Sequence, residues 1–276
     1  CGALLTLDGM GGLHGWQWLF LLEGIPSVVL SDAVLKFLPD SPNHAKWLTT
    51  AEKQWLSQRL EEDAKTQVRV QHMSWKVALT DPRIVYLCLI FITSSTAINA
   101  VGFFNPQLIK SVTGGKWPDS LVATIGAIPA IAGALAMSLA SYHSDRTGDR
   151  RLHVVGGYAV AALGIVLCAF MPVIGALLIA MSIMLMGERV GAGSYWAVTT
   201  NLMGAGAAAG GLAFINSVGN LGGFFGPLLM GELKMRSNGA FAPGLYSAAT
   251  LMLIASLLSV IALKKYMPNR KEEPAQ

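Results

Sequence analysis

Five long stretches of this chain carry no Asp, Glu, Lys or Arg: Ile84 to Ile109, Ser120 to Ser144, Val154 to Gly187, Val190 to Gly231 and Ser237 to Leu263. A hydrocarbon layer about 30 Å thick is crossed by roughly 20 apolar residues of helix, so each run is long enough for a span. The two longest runs contain or share more than one. Pro172 and Gly175 are expected to break the first between two helices, and Gly204-Ala205-Gly206-Ala207 the second. A further apolar segment, Trp16 to Leu38, lies upstream and ends at Pro39. The expectation is seven spans, at 16–38, 84–109, 119–142, 153–171, 174–201, 211–233 and 243–265. Lipid offers the backbone no hydrogen-bond partners, which leaves only helices or closed barrels. Barrel strands alternate polar and apolar residues, and runs such as Leu177-Leu178-Ile179-Ala180-Met181 do not. The fold class is therefore an all-α membrane protein.

Charged residues make up 13% of the chain and mean hydropathy is +0.51. Soluble domains carry about 25% charged residues, so a soluble enzyme, a disordered chain and a nucleic-acid module are excluded. The net charge of +4 is a matter of topology rather than of a polyanion partner. With the connections assigned alternately to two sides, 15 of the 20 Lys and Arg fall on one and 4 on the other, and Arg189 lies inside a span. The positive-inside rule then places the 39–81 loop, the Asp145 loop and the C-terminal tail in the cytoplasm. Cys1, Cys88 and Cys168 have no metal spacing and read as packed thiols. All five His (His14, His44, His72, His143 and His153) fall in loops or at helix ends, so an intramembrane enzyme is not expected. No phosphate-binding Gly-x-x-x-x-Gly-Lys-Ser/Thr loop occurs, so ATP coupling is not expected, nor is a cofactor. The chain opens on Cys1 rather than Met, and the expectation is a fragment that lacks its natural N-terminus.

In the first loop, Thr49-x-x-Glu52 forms a capping box, and Trp55, Leu56 and Leu60 follow at helical spacing. A short amphipathic helix is expected there. The six later spans form two triplets, which fits the repeat pattern of secondary transporters.

Three separated motifs carry a resemblance. The stretch Gly15-Trp16-Gln17-Trp18-Leu19-Phe20-Leu21-Leu22-Glu23-Gly24-Ile25-Pro26 resembles the sixth helix of the anion:cation symporter family of the major facilitator superfamily. Leu38-Pro39-Asp40-Ser41-Pro42, followed by Ala45-Lys46-Trp47-Leu48-Thr49 and Glu52, resembles the start of its central loop. Asn216-Ser217-Val218-Gly219-Asn220-Leu221-Gly222-Gly223-Phe224-Phe225-Gly226-Pro227 resembles its eleventh helix. Members of that family that the motifs resemble include bacterial permeases for tartrate, phthalate and related aromatic or sugar acids. The resemblance implies helices six to twelve of a twelve-helix transporter. Residues 1–38 would hold the tail of helix five and helix six, 39–82 the cytoplasmic central loop, 83–267 the C-terminal six-helix domain and 268–276 a cytoplasmic tail. It implies proton-coupled symport of a small organic anion across the bacterial inner membrane by alternating access. The partners would be the lipid bilayer and the missing N-terminal half, in which the family's groups for proton coupling and for gripping the substrate carboxylate mainly sit. A non-transporting sensor or structural subunit of the same fold is the competing reading.

In this fold, helices seven, eight, ten and eleven are expected to line the cavity. Polar residues within spans nominate the candidates, because an amide in hydrocarbon needs partners or water. Thr96 and Asn99 share one helix face, as do Asn216 and Asn220. Asn220 is the leading candidate for substrate contact. Gly219, Gly222, Gly223 and Gly226 beside it point to close helix packing. Trp196 is placed to stack on a planar acid and Tyr195 to donate to a carboxylate. Glu188 and Arg189 are adjacent charges inside a span, about 100° apart around the helix, and so are not expected simply to neutralise each other. Asp145, Arg146 and Arg150 resemble the superfamily's cytoplasmic gating motif. Asp145 would face a helix N-terminus, and the arginines would bridge carboxylates.

Overall fold

The structure, a computed structural model, describes residues 4–67 and 81–266. Arg69, Lys76, Arg270 and Lys271 of the expected cytoplasmic set, and the 268–276 tail, lie outside the described residues. The chain divides into two units, Cys1–Gln71 with Asp119–Thr124, and His72–Pro118 with Ile125–Gln276.

In the first unit, α1 (Gly15–Phe37) is the expected leading apolar helix. Its entry is fixed by Asp8, which accepts from the Gly15 N–H at 2.6 Å, and by the Gln17 side chain, which accepts from the His14 N–H at 2.8 Å. Helix α2 (Thr50–Gln67) starts at the expected capping box. Glu52 accepts from the Thr49 N–H at 2.8 Å and Thr49 Oγ1 from the Glu52 N–H at 3.4 Å. The Thr49 N–H, and the Thr49 hydroxyl donating to Glu52 Oε2 at 2.8 Å, hold the Glu52 carboxyl below its ordinary pKa.

The chain continues through α3 (Pro82–Val112), α4 (Asp119–Ile125), α5 (Ile128–Thr147), α6 (Arg150–Cys168), α7 (Ile174–Asn220), α8 (Gly222–Arg236) and α9 (Ala242–Tyr266). All seven expected spans are present as helices long and apolar enough to cross a membrane, within a few residues of the expected bounds.

Two details differ from expectation. The 119–142 span is two helices, because Pro129 lacks an N–H and its ring excludes the carbonyl of residue 125, where α4 stops. The Gly204-Ala205-Gly206-Ala207 stretch keeps helical backbone, since alanine is the strongest helix former. A straight helix of 47 residues would run about 70 Å, far beyond a bilayer. Instead the Met203 sulfur sits where a Cβ on Gly211 would lie. Eight residues of straight helix separate two positions by about 12 Å, so α7 bends here without losing its helical assignment. The interruption comes at Leu221, whose N–H bonds the Val218 carbonyl at 3.2 Å in a tightened turn.

Within the second unit the helices alternate in direction. At one end the Arg150 guanidinium donates to the Ala197 carbonyl at 3.2 Å, and the Tyr86 and Tyr266 rings lie 6.2 Å apart. At the other, Lys234 Nζ donates to Gln107 Oε1 at 2.7 Å and lies 4.1 Å from the centre of the Phe241 ring. The connections assigned to one side by charge thus meet at one end of the bundle. Asp81 opens α3 at the Arg150 end. The Arg83 guanidinium, 2.7 Å from Asp81 Oδ2, holds that carboxyl below the usual range.

Glycines bring two helix pairs to backbone contact. Gly157 and Gly164 of α6 meet Gly187, Gly191 and Met184 of α7, while Gly222 and Gly226 of α8 meet residues 95–100 of α3. Gly219 faces the Phe91 ring, but Gly223, expected on the same packed face, has nothing within 4 Å.

Candidate functional site

The middle of the second unit holds a cavity of ≈ 380 Å³ walled by α3, α6 and α7, with Asn220 at its edge. That volume suits a small solute. Of the six residues expected to touch substrate, Asn99, Tyr195, Trp196 and Asn220 line it; Thr96 and Asn216 do not.

The two amides sit differently. Asn99 Nδ2 donates to the Ser95 carbonyl at 2.8 Å and lies 3.2 Å from Ser95 Oγ, one turn back on α3. Asn220, at the last residue of α7 before the break, donates from Nδ2 to Asn216 Oδ1 at 3.1 Å. Asn216 therefore positions Asn220 rather than facing the cavity itself. Thr96 is buried, donates to the Ile92 carbonyl at 2.7 Å, and packs its backbone against Gly222 and Gly226. It belongs to the helix contact.

The aromatic wall also redistributes the expected roles. The Tyr195 hydroxyl donates to the Leu87 carbonyl of α3 at 2.8 Å, so its proton is committed to the backbone of a neighbouring helix. Its ring stacks on Phe91 at 5.8 Å, and Trp196 meets Phe91 edge-on at 5.1 Å. Trp196 keeps a half-buried indole on the cavity side.

Glu188 and Arg189 both line the cavity. Contrary to the expectation from their angular offset, their flexible side chains converge, with Arg189 Nε 3.3 Å from Glu188 Oε2. Glu188 is 8% exposed, and its Oε2 makes no hydrogen bond. The Arg189 side chain remains 54% exposed. Gly133 of α5 makes room for it, since a Cβ there would lie 3.1 Å from Arg189 Cγ.

Tyr158, from the helix corresponding to the ninth, was not anticipated as a cavity residue, whereas the described residues of α4 and α5, the eighth, contribute none to the lining. The missed signal was Gly157: a glycine that lets α6 touch α7 carries its neighbour inward.

At the end of the bundle, Arg150 joins Asp145 (3.6 Å) and the Ala197 carbonyl of α7. Arg146 lies over the Tyr142 ring at 4.4 Å rather than bridging to a carboxylate. Gly148 closes α5 with φ +69, a conformation that strains other residues, and Asp149 caps α6 by accepting from the Leu152 N–H at 3.1 Å. His143 and His153 approach to 3.1 Å beside this loop. Among the described residues no cluster of three His, Cys, Asp or Glu is placed to hold a metal.

Comparison with known proteins gives a family match over residues 2–227, to the model described as Major Facilitator Superfamily. Two putative tartrate transporters of Agrobacterium vitis are 39% and 36% identical over 94% of this chain, which covers 57% and 59% of them. A quinolone resistance transporter of Acinetobacter baumannii is 33% identical over 96% of the chain and 60% of its own length. The chain thus spans a little over half the length of the relatives it matches.

Proposed function

The chain belongs to the Major Facilitator Superfamily, and from that premise we propose that it forms the larger part of a secondary active transporter that moves a small organic anion by alternating access, in symport with protons. It is a multi-pass membrane protein. The proposed location is a bacterial inner membrane, with the 39–81 loop and the tail in the cytoplasm.

One observation carries the substrate class. The cavity brings the side chain of Arg189, the one cation among the described residues of its lining, together with the amides of Asn99 and Asn220 and the Trp196 indole. A guanidinium grips a carboxylate through paired N–H donors. Amides bond hydroxyls or the second carboxylate oxygen, and an aromatic wall accepts the flat face of a planar acid. The similarity to putative tartrate transporters points to a hydroxylated dicarboxylate. Arg150, bridging Asp145 and Ala197, is proposed to latch the cytoplasmic end between strokes, while Arg146 steadies the α5 end.

The test is uptake of radiolabelled tartrate by cells expressing the full-length protein, with and without a protonophore. Saturable uptake abolished by the protonophore supports the reading. Uptake indifferent to it removes proton coupling, and no uptake of tartrate or related acids by a folded, membrane-inserted protein removes the substrate class.

A further inference from the structure

We propose that Glu188 is the proton-carrying group of this half of the transporter, and that substrate drives its protonation by drawing Arg189 away from it. The proposal rests on the transport reading above.

Three observations converge on this carboxylate. It is nine-tenths buried, yet it lines a cavity open to water. Its Oε2 has no hydrogen bond, although a carboxylate at membrane depth is costly unless it is paired or neutralised. Its compensation is Arg189 at 3.3 Å, whose side chain is more than half exposed to the space a substrate would enter.

The groups facing it from neighbouring elements do not replace that cation. Helix α6 presents the buried Tyr158 phenol. Helix α3 presents Ser94 and Ser95, and the Ser94 hydroxyl already donates to the Phe91 carbonyl at 3.1 Å. Helix α5 presents Gly133 and Met137, against Arg189 and Gly193. Asn220 adds an uncharged amide. Arg189 is thus the one charged partner among the described cavity residues.

The exchange follows from competition. An anionic substrate offers Arg189 a bidentate partner, better than the single contact with Glu188 Oε2. As the guanidinium turns to it, the buried carboxylate loses its counter-charge and takes a proton from cavity water. The neutral acid then satisfies itself as a donor, and the site crosses with one proton and one carboxylate. On the far side the anion leaves, Arg189 returns and the proton is released to water. By linkage, proton and anion raise each other's affinity by the same factor.

The experiment uses the full-length protein in proteoliposomes with radiolabelled tartrate. Two rates are compared: uptake driven by an inward proton gradient, and counterflow of labelled against unlabelled tartrate without a gradient. In Glu188→Gln the ratio of driven uptake to counterflow is expected to fall about tenfold or more, and Glu188→Asp to recover part of it. In a second measurement, tartrate is added to weakly buffered, detergent-solubilised protein with a pH dye. Wild type takes up protons on binding and Glu188→Gln does not. An unchanged ratio in Glu188→Gln, or undiminished proton uptake, overturns the assignment to Glu188 while leaving transport standing. Wild type that neither takes up tartrate nor exchanges it overturns the transport reading and this proposal together. Size-exclusion profiles of each variant show that the protein assayed is folded.

Discussion

Two of the glycine contacts between helices in the second unit have different surroundings. At the α6–α7 seam, Gly157 and Gly187 interlock so closely that a Cβ on either would meet backbone atoms of the other helix. Beyond them Gly164 closes on Met184, so the seam stays tight for two turns. At the α3–α8 contact Gly222 and Gly226 press on Thr96 and Ala100 just as tightly, yet Asn99 and Asn220 close by border a ≈ 380 Å³ cavity. At the α6–α7 seam the contacting atoms are backbone and glycine, a static plate, with Tyr158, Glu188 and Arg189 only at its cavity edge. Beside the α3–α8 contact the amides make a wall that can respond to a ligand. Lipid supplies no hydrophobic drive between helices, so both depend on van der Waals contact, and what differs is the chemistry at their edges.

The largest effect that separates them is steric. Gly187→Val puts a branched side chain where even a Cβ collides with the Ala161 nitrogen and Gly157 oxygen. Overpacking costs about 1–3 kcal/mol where side chains can yield, and here the obstruction is backbone. The expected outcome is loss of the monodisperse peak in detergent size exclusion. Gly223→Val, at a position with no neighbour within 4 Å, is expected to keep it. If both variants behave alike, the distinction between packed and open glycines is wrong.

Next comes the cavity cation. Arg189→Gln is expected to weaken tartrate binding by about 10- to 100-fold, the range for a charged hydrogen bond, with the folded fraction little changed because the side chain is half exposed. Scintillation-proximity binding on the full-length protein measures it. An intact affinity would move the anion grip out of this cavity.

Asn220→Ala is expected to cost about fivefold in the same assay, the worth of one neutral hydrogen bond. Asn216→Ala is expected to cost less, because it acts by holding Asn220 at 3.1 Å. A larger loss for Asn216 than for Asn220 would reverse their roles.

These residues also mark how far the sequence could be read. The seven spans were legible because charges are excluded from hydrocarbon length after length, a constraint written in composition alone. The Asn216–Asn220 relation was half legible: spacing put both on one face, but only the break at Leu221 decides which reaches the cavity. Thr96 and Asn99 sit three apart and were read as one face, yet they divide between a helix contact and the cavity. Tyr158 was not legible. In a soluble helix the polar side marks the outside; in lipid the outer face of α6 carries large apolar residues such as Leu152, Val160 and Leu163, and only the small residues Gly157, Ala161 and Gly164 mark the inner side that Tyr158 shares. The Glu188–Arg189 pairing is not legible in the backbone angle, because side chains this long turn back on themselves.

The smallest expected effect separates the two contacts by pH. The α6–α7 glycine contacts include no carboxylate, whereas α3, which carries the cavity's Asn99, has its first turn tied by Asp81 to the Arg83 N–H at 2.8 Å and to its guanidinium. Arg83 lowers the Asp81 pKa from its ordinary 3.8. A carboxyl whose folded pKa is depressed stabilises the fold fully above its unfolded value, and that contribution is lost as pH falls through the folded one. Between pH 5 and pH 3, after correction for intrinsic rates, hydrogen exchange in the first turn of α3 is expected to rise by about threefold, a cap's worth reduced for partial exposure. Exchange along 157–164, which holds no carboxylate, is expected not to change. Asp81→Asn is expected to show the raised rate already at pH 5 and no further rise at pH 3. Equal acid sensitivity in both segments would mean that the seam and the cavity wall open as one unit, and the contrast between a static plate and a responsive wall would have no physical content.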